Sequence, residues 1–170
     1  GLYWDCTTND ARLTLETAID AQMNGVDLVT YCRVTGFRRS KSGAIEGIEV
    51  VDELGDDAFE VKTACVVNAT GPWSDSTRAL FGRQGKLLRP TKGIHIVVSS
   101  ERLPLRHSNV LHHPEDGRIL FAVPWGESTY VGTTDTDYDG LGSEVAATSE
   151  DVDYLLRSCE RFFPEAKLTR

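Results

Sequence analysis

The sequence predicts an α/β fold, of α+β character within these residues, and three observations carry that reading. Apolar residues at helical spacing open the chain, short β-rich runs bounded by polar turns fill its middle, and an amphipathic helix follows a second group of strands. Asn9 or Asp10 caps the first helix, whose Ala11, Leu15, Ala18, Ile19 and Met23 recur three and four residues apart up to Gly25. Such a stripe requires a partner surface. The runs 27–33, 44–52 and 59–63, separated by turns at 38–43 and 53–57, predict a three-stranded antiparallel meander. Residues 64–69, Ala-Cys-Val-Val-Asn-Ala, are apolar almost throughout, as in a strand covered on both faces, and run straight into Thr70-Gly71-Pro72. A helix is expected from Trp73 to Leu80.

The pattern changes at Arg89-Pro90, so the chain divides into residues 1–88 and an incomplete second part, 89–170. Ile94, Ile96 and Val98 alternate with His95 and Val97, which is the period of a strand. The runs 118–123 and 128–133 predict a hairpin around Pro124-Trp125-Gly126-Glu127, with a further strand at 110–112. Thr148 or Ser149 caps a last helix, striped by Val152, Leu155, Leu156, Cys159, Phe162 and Phe163 and stopped by Pro164.

Composition narrows the function classes. With 170 residues, 40% hydrophobic and 26% charged, the chain has the make-up of one soluble globular domain. A formal charge of −8 offers no broad basic field to a phosphate backbone, which argues against a nucleic-acid partner. No apolar run approaches the roughly 20 residues of a membrane span, and residues 1–10 lack the basic and apolar stretches of a signal peptide. Cys6, Cys32, Cys65 and Cys159 form no CxxC pair and read as reduced, mostly buried thiols. The chain has no initiator methionine and its elements run to both ends, so it reads as an internal piece of a longer protein.

Several motifs give way to simpler readings. Asp135, Asp137, Asp139 and Gly140 begin like a calcium loop, but Ala146 stands where the closing glutamate is needed, which favours a solvated acidic loop. His112 and His113 point to opposite faces of an extended segment, so they make a poor metal pair, and no metal is expected. Gly140-Leu141-Gly142 lacks the third glycine and the preceding strand of a dinucleotide fingerprint. Three segments are harder to explain as packing. Asn68-Ala69-Thr70-Gly71 puts small residues where a strand meets a helix, fitting either tight packing or the close approach of a ligand. His95 is either a hydrogen-bonded core histidine or a group that titrates near neutrality at a site. Thr133-Thr134-Asp135 ends a strand, where a hydroxyl caps a turn or holds a polar ligand.

In order and spacing, five segments resemble the FAD-dependent glycerol-3-phosphate dehydrogenases of the aerobic bacterial and mitochondrial type. They are Asn9-Asp10-Ala11-Arg12-Leu13, Val67 to Trp73 with its Asn-Ala-Thr-Gly-Pro core, Thr91-Lys92-Gly93-Ile94-His95-Ile96-Val97-Val98, Arg118 to Trp125, and Gly132-Thr133-Thr134-Asp135. The resemblance implies that residues 1–88 contribute the middle of an FAD-binding, Rossmann-like domain, and that residues 89–170 build a mixed β-sheet of the substrate (cap) domain with flanking helices. It implies oxidation of sn-glycerol 3-phosphate to dihydroxyacetone phosphate, with hydride passing from carbon 2 to the flavin and electrons to quinone.

Carried over by residue, Ala69, Thr70 and Gly71 would lie along the FAD, and Arg33 and Val34 near its adenine end. His95 and Thr133 would reach the substrate side, His95 as base or hydrogen-bonding group and Thr133 as an orienting hydroxyl. The glycine-rich turn for the FAD pyrophosphate and the cations for the substrate phosphate are expected outside this chain, so the chain alone is expected to be inactive. The resemblance also implies a cytoplasmic protein, peripheral on the bacterial cytoplasmic membrane or, in a eukaryote, on the mitochondrial inner membrane, attached through parts outside this chain. A homodimer stays open. Two other readings remain: an amine or amino-acid oxidase of the same flavin fold, like glycine and sarcosine oxidases, and a non-catalytic cap or interaction module.

Overall fold

The computed structural model of the chain describes residues 1–140 and 142–170; Leu141, between Gly140 and Gly142, lies outside the described residues. The chain forms two compact units, one made of residues 1–68 and 79–83, the other of residues 69–78 and 84–170.

In the first unit, helix α1 spans Asp10–Met23, capped by Asn9, whose side chain accepts the Arg12 N–H at 3.0 Å. None of its residues is buried, and Leu13, Leu15, Ile19 and Met23 all stand open. Strands β1 (Cys32–Arg39), β2 (Ile45–Asp52) and β3 (Ala58–Lys62) form the expected antiparallel meander in the order β1-β2-β3. β1 begins later than the sequence pattern implies and runs on to Arg39. Tyr31, with φ of 57°, breaks the extended run before Cys32, and only from Cys32 onward does the chain find ladder partners, up to Arg39 opposite Ile45. Arg33 therefore sits near the start of β1 instead of the end of a strand.

Residues 64–69 are not a buried strand. No described strand runs beside them to supply a ladder, so their apolar side chains are mostly uncovered, with Val67 83% exposed and Val66 half-buried. The expectation of mostly buried thiols changes with them: Cys6 and Cys65 are exposed, Cys32 is half-buried and only Cys159 is buried, all four free.

A 3₁₀ turn at Gly71–Trp73 leads into α2, Ser74–Leu80, which crosses the boundary between the units. The second unit carries β4 (Thr91–Lys92), β5 (His95–Ser99), β6 (Asn109–His112), β7 (Ile119–Trp125), β8 (Ser128–Gly132) and β9 (Thr136–Asp137). β4 pairs with β9, and the other four form a sheet in the order β5-β8-β7-β6. Where a mixed sheet is expected, every pairing among the described residues is antiparallel. The connections explain this: β6, β7 and β8 follow one another by hairpins, and among the described residues no crossover helix returns a strand in parallel. The β7–β8 loop is only Gly126-Glu127, with Trp125 opposite Ser128 and Gly126 at φ 58°.

Helix α3, Ser149–Phe162, opens with a capping box between Thr148 and Asp151. Its Leu155 and Cys159 close a core with Ile94, Val98, Leu111, Leu120, Ala122 and Val131. Each such fully buried aliphatic contributes about 1.5–3 kcal/mol. Because strand side chains alternate, the same register turns His95, Val97, Phe121, Tyr130 and Gly132 to the opposite face of the sheet.

Candidate functional site

His95 begins β5 and lies opposite Gly132 of β8, on the face that α3 does not cover. Its ring meets Tyr130 edge-on, with centroids 5.3 Å apart at 85°, and Trp125 lies against Tyr130 at 6.0 Å. A Cβ at Gly132 would stand 2.5 Å from His95 Cδ2 and 2.8 Å from the Ile94 carbonyl oxygen, so the imidazole rests on a surface that only glycine provides. Thr133 follows directly, its hydroxyl donating to the Thr134 carbonyl at 3.1 Å. A Cβ at Gly93 would collide with that hydroxyl. Two glycines thus let the His95 and Thr133 strands close on each other, and both candidate catalytic residues occupy one end of the sheet.

Below this end the strands are cross-tied. The Thr134 hydroxyl accepts the Ile94 N–H at 3.0 Å, and the Thr136 hydroxyl donates to the Lys92 carbonyl at 3.3 Å. Lys92 Nζ donates to Asp151 at 2.5 Å, with the two side chains 10% and 7% exposed. Burial alone would raise the Asp151 pKa, but the bonds from Lys92 and Thr148 outweigh it, and the carboxyl lies below its ordinary value.

The Asp135–Asp139 loop is met by cations. Arg89 lies 2.6 Å from Asp137, Lys86 3.6 Å from Asp139 and Arg118 3.7 Å from Asp135. Among the described residues no group of three or more His, Cys, Asp or Glu side chains could hold a metal. His113 is packed away from its neighbour His112: its ring is buried and stacked on Tyr154 at 3.6 Å, with Nε2 donating to the Tyr154 carbonyl and Nδ1 accepting from the Glu115 N–H. The Tyr154 hydroxyl donates to Asp116 at 2.9 Å, and burial followed by that bond pushes its pKa up to about 12.

Ala69, Thr70 and Gly71 belong to the same unit as His95 and Thr133. All three are exposed, and Gly71 has φ of 52° with nothing within 4 Å of the place a Cβ would take. Their small side chains leave backbone open to a flat ligand, which is the surface an FAD needs for close approach. Arg33 and Val34 lie on β1 in the other unit; Arg33 is paired with Glu53 at 2.6 Å and Val34 stands opposite Val50. Sequence reasoning quoted Gly93, Gly132, Lys92 and Arg118 only as members of matching segments and gave none of them a role of its own. The available signal was position: a glycine two residues before His95, another immediately before Thr133, and a lone lysine entering an apolar strand.

The whole chain, residues 1–170, matches the family described as FAD dependent oxidoreductase, and the chain belongs to that family. Among its relatives, the alpha-glycerophosphate oxidase of Enterococcus casseliflavus is 42% identical over 99% of this chain and 28% of its own length. The aerobic glycerol-3-phosphate dehydrogenase of Staphylococcus aureus is 38% identical over 99% of this chain and 30% of its own. The crystal structure of the glycerol-3-phosphate dehydrogenase from Bacillus halodurans, complexed with FAD, superposes with a TM-score of 0.90 at 39% identity, covering 95% of this chain and 33% of that one. The chain thus spans about a third or less of the proteins it matches.

Proposed function

We propose that this chain is part of a flavoprotein that oxidises sn-glycerol 3-phosphate to dihydroxyacetone phosphate and passes the electrons to quinone. The observation that carries the reading is the pairing of His95 with Gly132 beside Thr133, on a sheet face that α3 leaves open. It is supported by relatives named for glycerophosphate oxidation over the whole chain. When bound, FAD supplies the hydride acceptor. Ala69, Thr70 and Gly71 would hold it through exposed backbone, and Arg33 and Val34 would serve its adenine end. His95 accepts the proton of the carbon 2 hydroxyl as the hydride leaves. The Thr133 hydroxyl orients the substrate oxygen. Residues 1–88 serve the FAD-binding domain and residues 89–170 the substrate side.

The complete reading frame, loaded with FAD and mixed anaerobically with sn-glycerol 3-phosphate, should lose its flavin absorbance. Bleaching by sarcosine or glycine but not by the glycerol phosphate would overturn the substrate. Reoxidation by a soluble quinone faster than by oxygen separates a dehydrogenase from an oxidase. Because the proposed electron acceptor, quinone, resides in the membrane, we place the protein in the cytoplasm, peripheral on the inner face of a bacterial membrane. Fractionation that leaves it with the membranes, and its release by high salt, tests this.

A further inference from the structure

Lys92 occupies a junction that the reaction chemistry does not explain. Its main chain lies three residues before His95, and its carbonyl oxygen receives the Thr134 hydroxyl at 3.5 Å and the Thr136 hydroxyl at 3.3 Å, both just beyond Thr133. Its side chain runs the other way, into the protein, where Nζ donates to Asp151 at 2.5 Å and to the Ala146 carbonyl at 3.3 Å. Asp151 is itself fixed, accepting the Thr148 N–H and the Thr148 hydroxyl, each at 2.8 Å, in the capping box of α3. One residue therefore ties the His95 strand, the Thr133 segment and the first turn of α3 together. At this end the His95 main chain is held by its ladder with Gly132, and its ring rests on Gly132 and meets the edge of Tyr130.

A buried ion pair is a poor source of stability, because an apolar pair of the same volume serves the core as well or better. What a pair of this kind supplies is direction: with Nζ held by Asp151 and the Ala146 carbonyl, the Lys92 main chain is confined to the positions its stem can reach. Resting on the reading of His95 and Thr133 given above, we infer that Lys92 and Asp151 are positioning residues. They set the spacing of His95 and Thr133 through the Lys92 backbone without touching substrate.

The test uses the complete FAD-loaded protein and compares wild type with Lys92→Met, Lys92→Met/Asp151→Leu and Thr136→Val. The double variant removes both charges together with the Asp151 half of the α3 capping box, so its thermal midpoint is expected to fall by the few degrees that a lost cap accounts for, with the wild-type flavin spectrum kept. Its limiting rate of flavin reduction should fall about tenfold or more, as expected for a reacting group displaced by a fraction of an ångström, while half-saturation by substrate changes far less. Its crystal structure should show the His95 ring and Thr133 hydroxyl moved relative to each other. A double variant with wild-type rate, or with His95 and Thr133 unmoved, overturns the inference. Should the double variant fail to fold, Thr136→Val decides, since it cuts one tie to the Lys92 carbonyl and leaves the ion pair intact. A several-fold slower limiting rate supports the inference and an unchanged one overturns it. If wild type is bleached by sarcosine and not by sn-glycerol 3-phosphate, the substrate reading fails, and the same comparison is run with sarcosine.

Discussion

Gly132 sets the tightest steric condition in the candidate site, because the atoms its missing Cβ would meet are the His95 ring and the Ile94 backbone. Gly132→Ala must displace one of them, at about 1–3 kcal/mol of overpacking. The expected result is a folded protein with a slightly lower melting temperature and flavin reduction slowed by about a hundredfold, read by stopped-flow absorbance. His95→Gln keeps the volume and a polar head but removes the base, and should slow the same step by about 10²–10⁴ while FAD stays bound. The buried Cys159 makes a contrasting residue-scale case. Burial pushes its thiol up to about 11, so at pH 8 it is protonated and shielded. Iodoacetamide should leave it unmodified in the native protein and label it after guanidinium unfolding, as mass spectrometry of the peptide carrying it will show.

At the scale of elements, the link between β4 and α3 carries a pH signature. Asp151 lies below its ordinary carboxylate range, so it is charged and paired above about pH 4, and its contribution disappears as pH falls through its folded value. Asp151→Asn leaves Lys92 buried without a counter-ion and should cost about 3–5 kcal/mol at neutral pH. That difference should shrink towards zero as pH falls below about 4 and Asp151 takes up its proton, as urea-unfolding midpoints measured along the pH series will test. The helix side of this link was legible in the sequence, since Thr148, Asp151 and the apolar stripe of α3 are local signals, and so was the alternation that places His95 opposite the core. The lysine was not, because its partner lies 59 residues away and a single lysine in a strand says nothing of what it reaches. For the same reason β1 was misplaced: the ladder with β2 decides where it starts, and residues 27–31 have the composition of a strand without a partner. Residues 64–69 show the converse, a run composed for burial on both faces that has no neighbouring strand among the described residues.

At the scale of the whole molecule, the apolar surface left open is the feature to account for. α1 buries no residue at all, and Leu13, Leu15, Ile19, Met23 and Val67 are all exposed, where an apolar helix face ordinarily packs on a partner surface. The sequence made this legible in part, since the α1 stripe demands a partner, but not which surface answers it. The proteins it matches are about three times as long or more, the chain covering 28%, 30% and 33% of them, which leaves ample polypeptide to cover these faces. FAD binding follows the same logic. The residues assigned to the cofactor offer open backbone at Ala69–Gly71 and two positions on β1, and this chain contains no glycine-rich strand-to-helix turn to hold a pyrophosphate. The isolated 170 residues should therefore bind FAD at best weakly, enhance the fluorescence of an apolar dye and self-associate at micromolar concentration, whereas the complete protein should retain FAD one to one through gel filtration. Isothermal titration of the isolated chain with FAD gives the deciding measurement: a stoichiometric, submicromolar complex would mean that these residues hold the cofactor without the pyrophosphate turn, and the division of labour assigned to Ala69, Thr70, Gly71, Arg33 and Val34 would have to be redrawn.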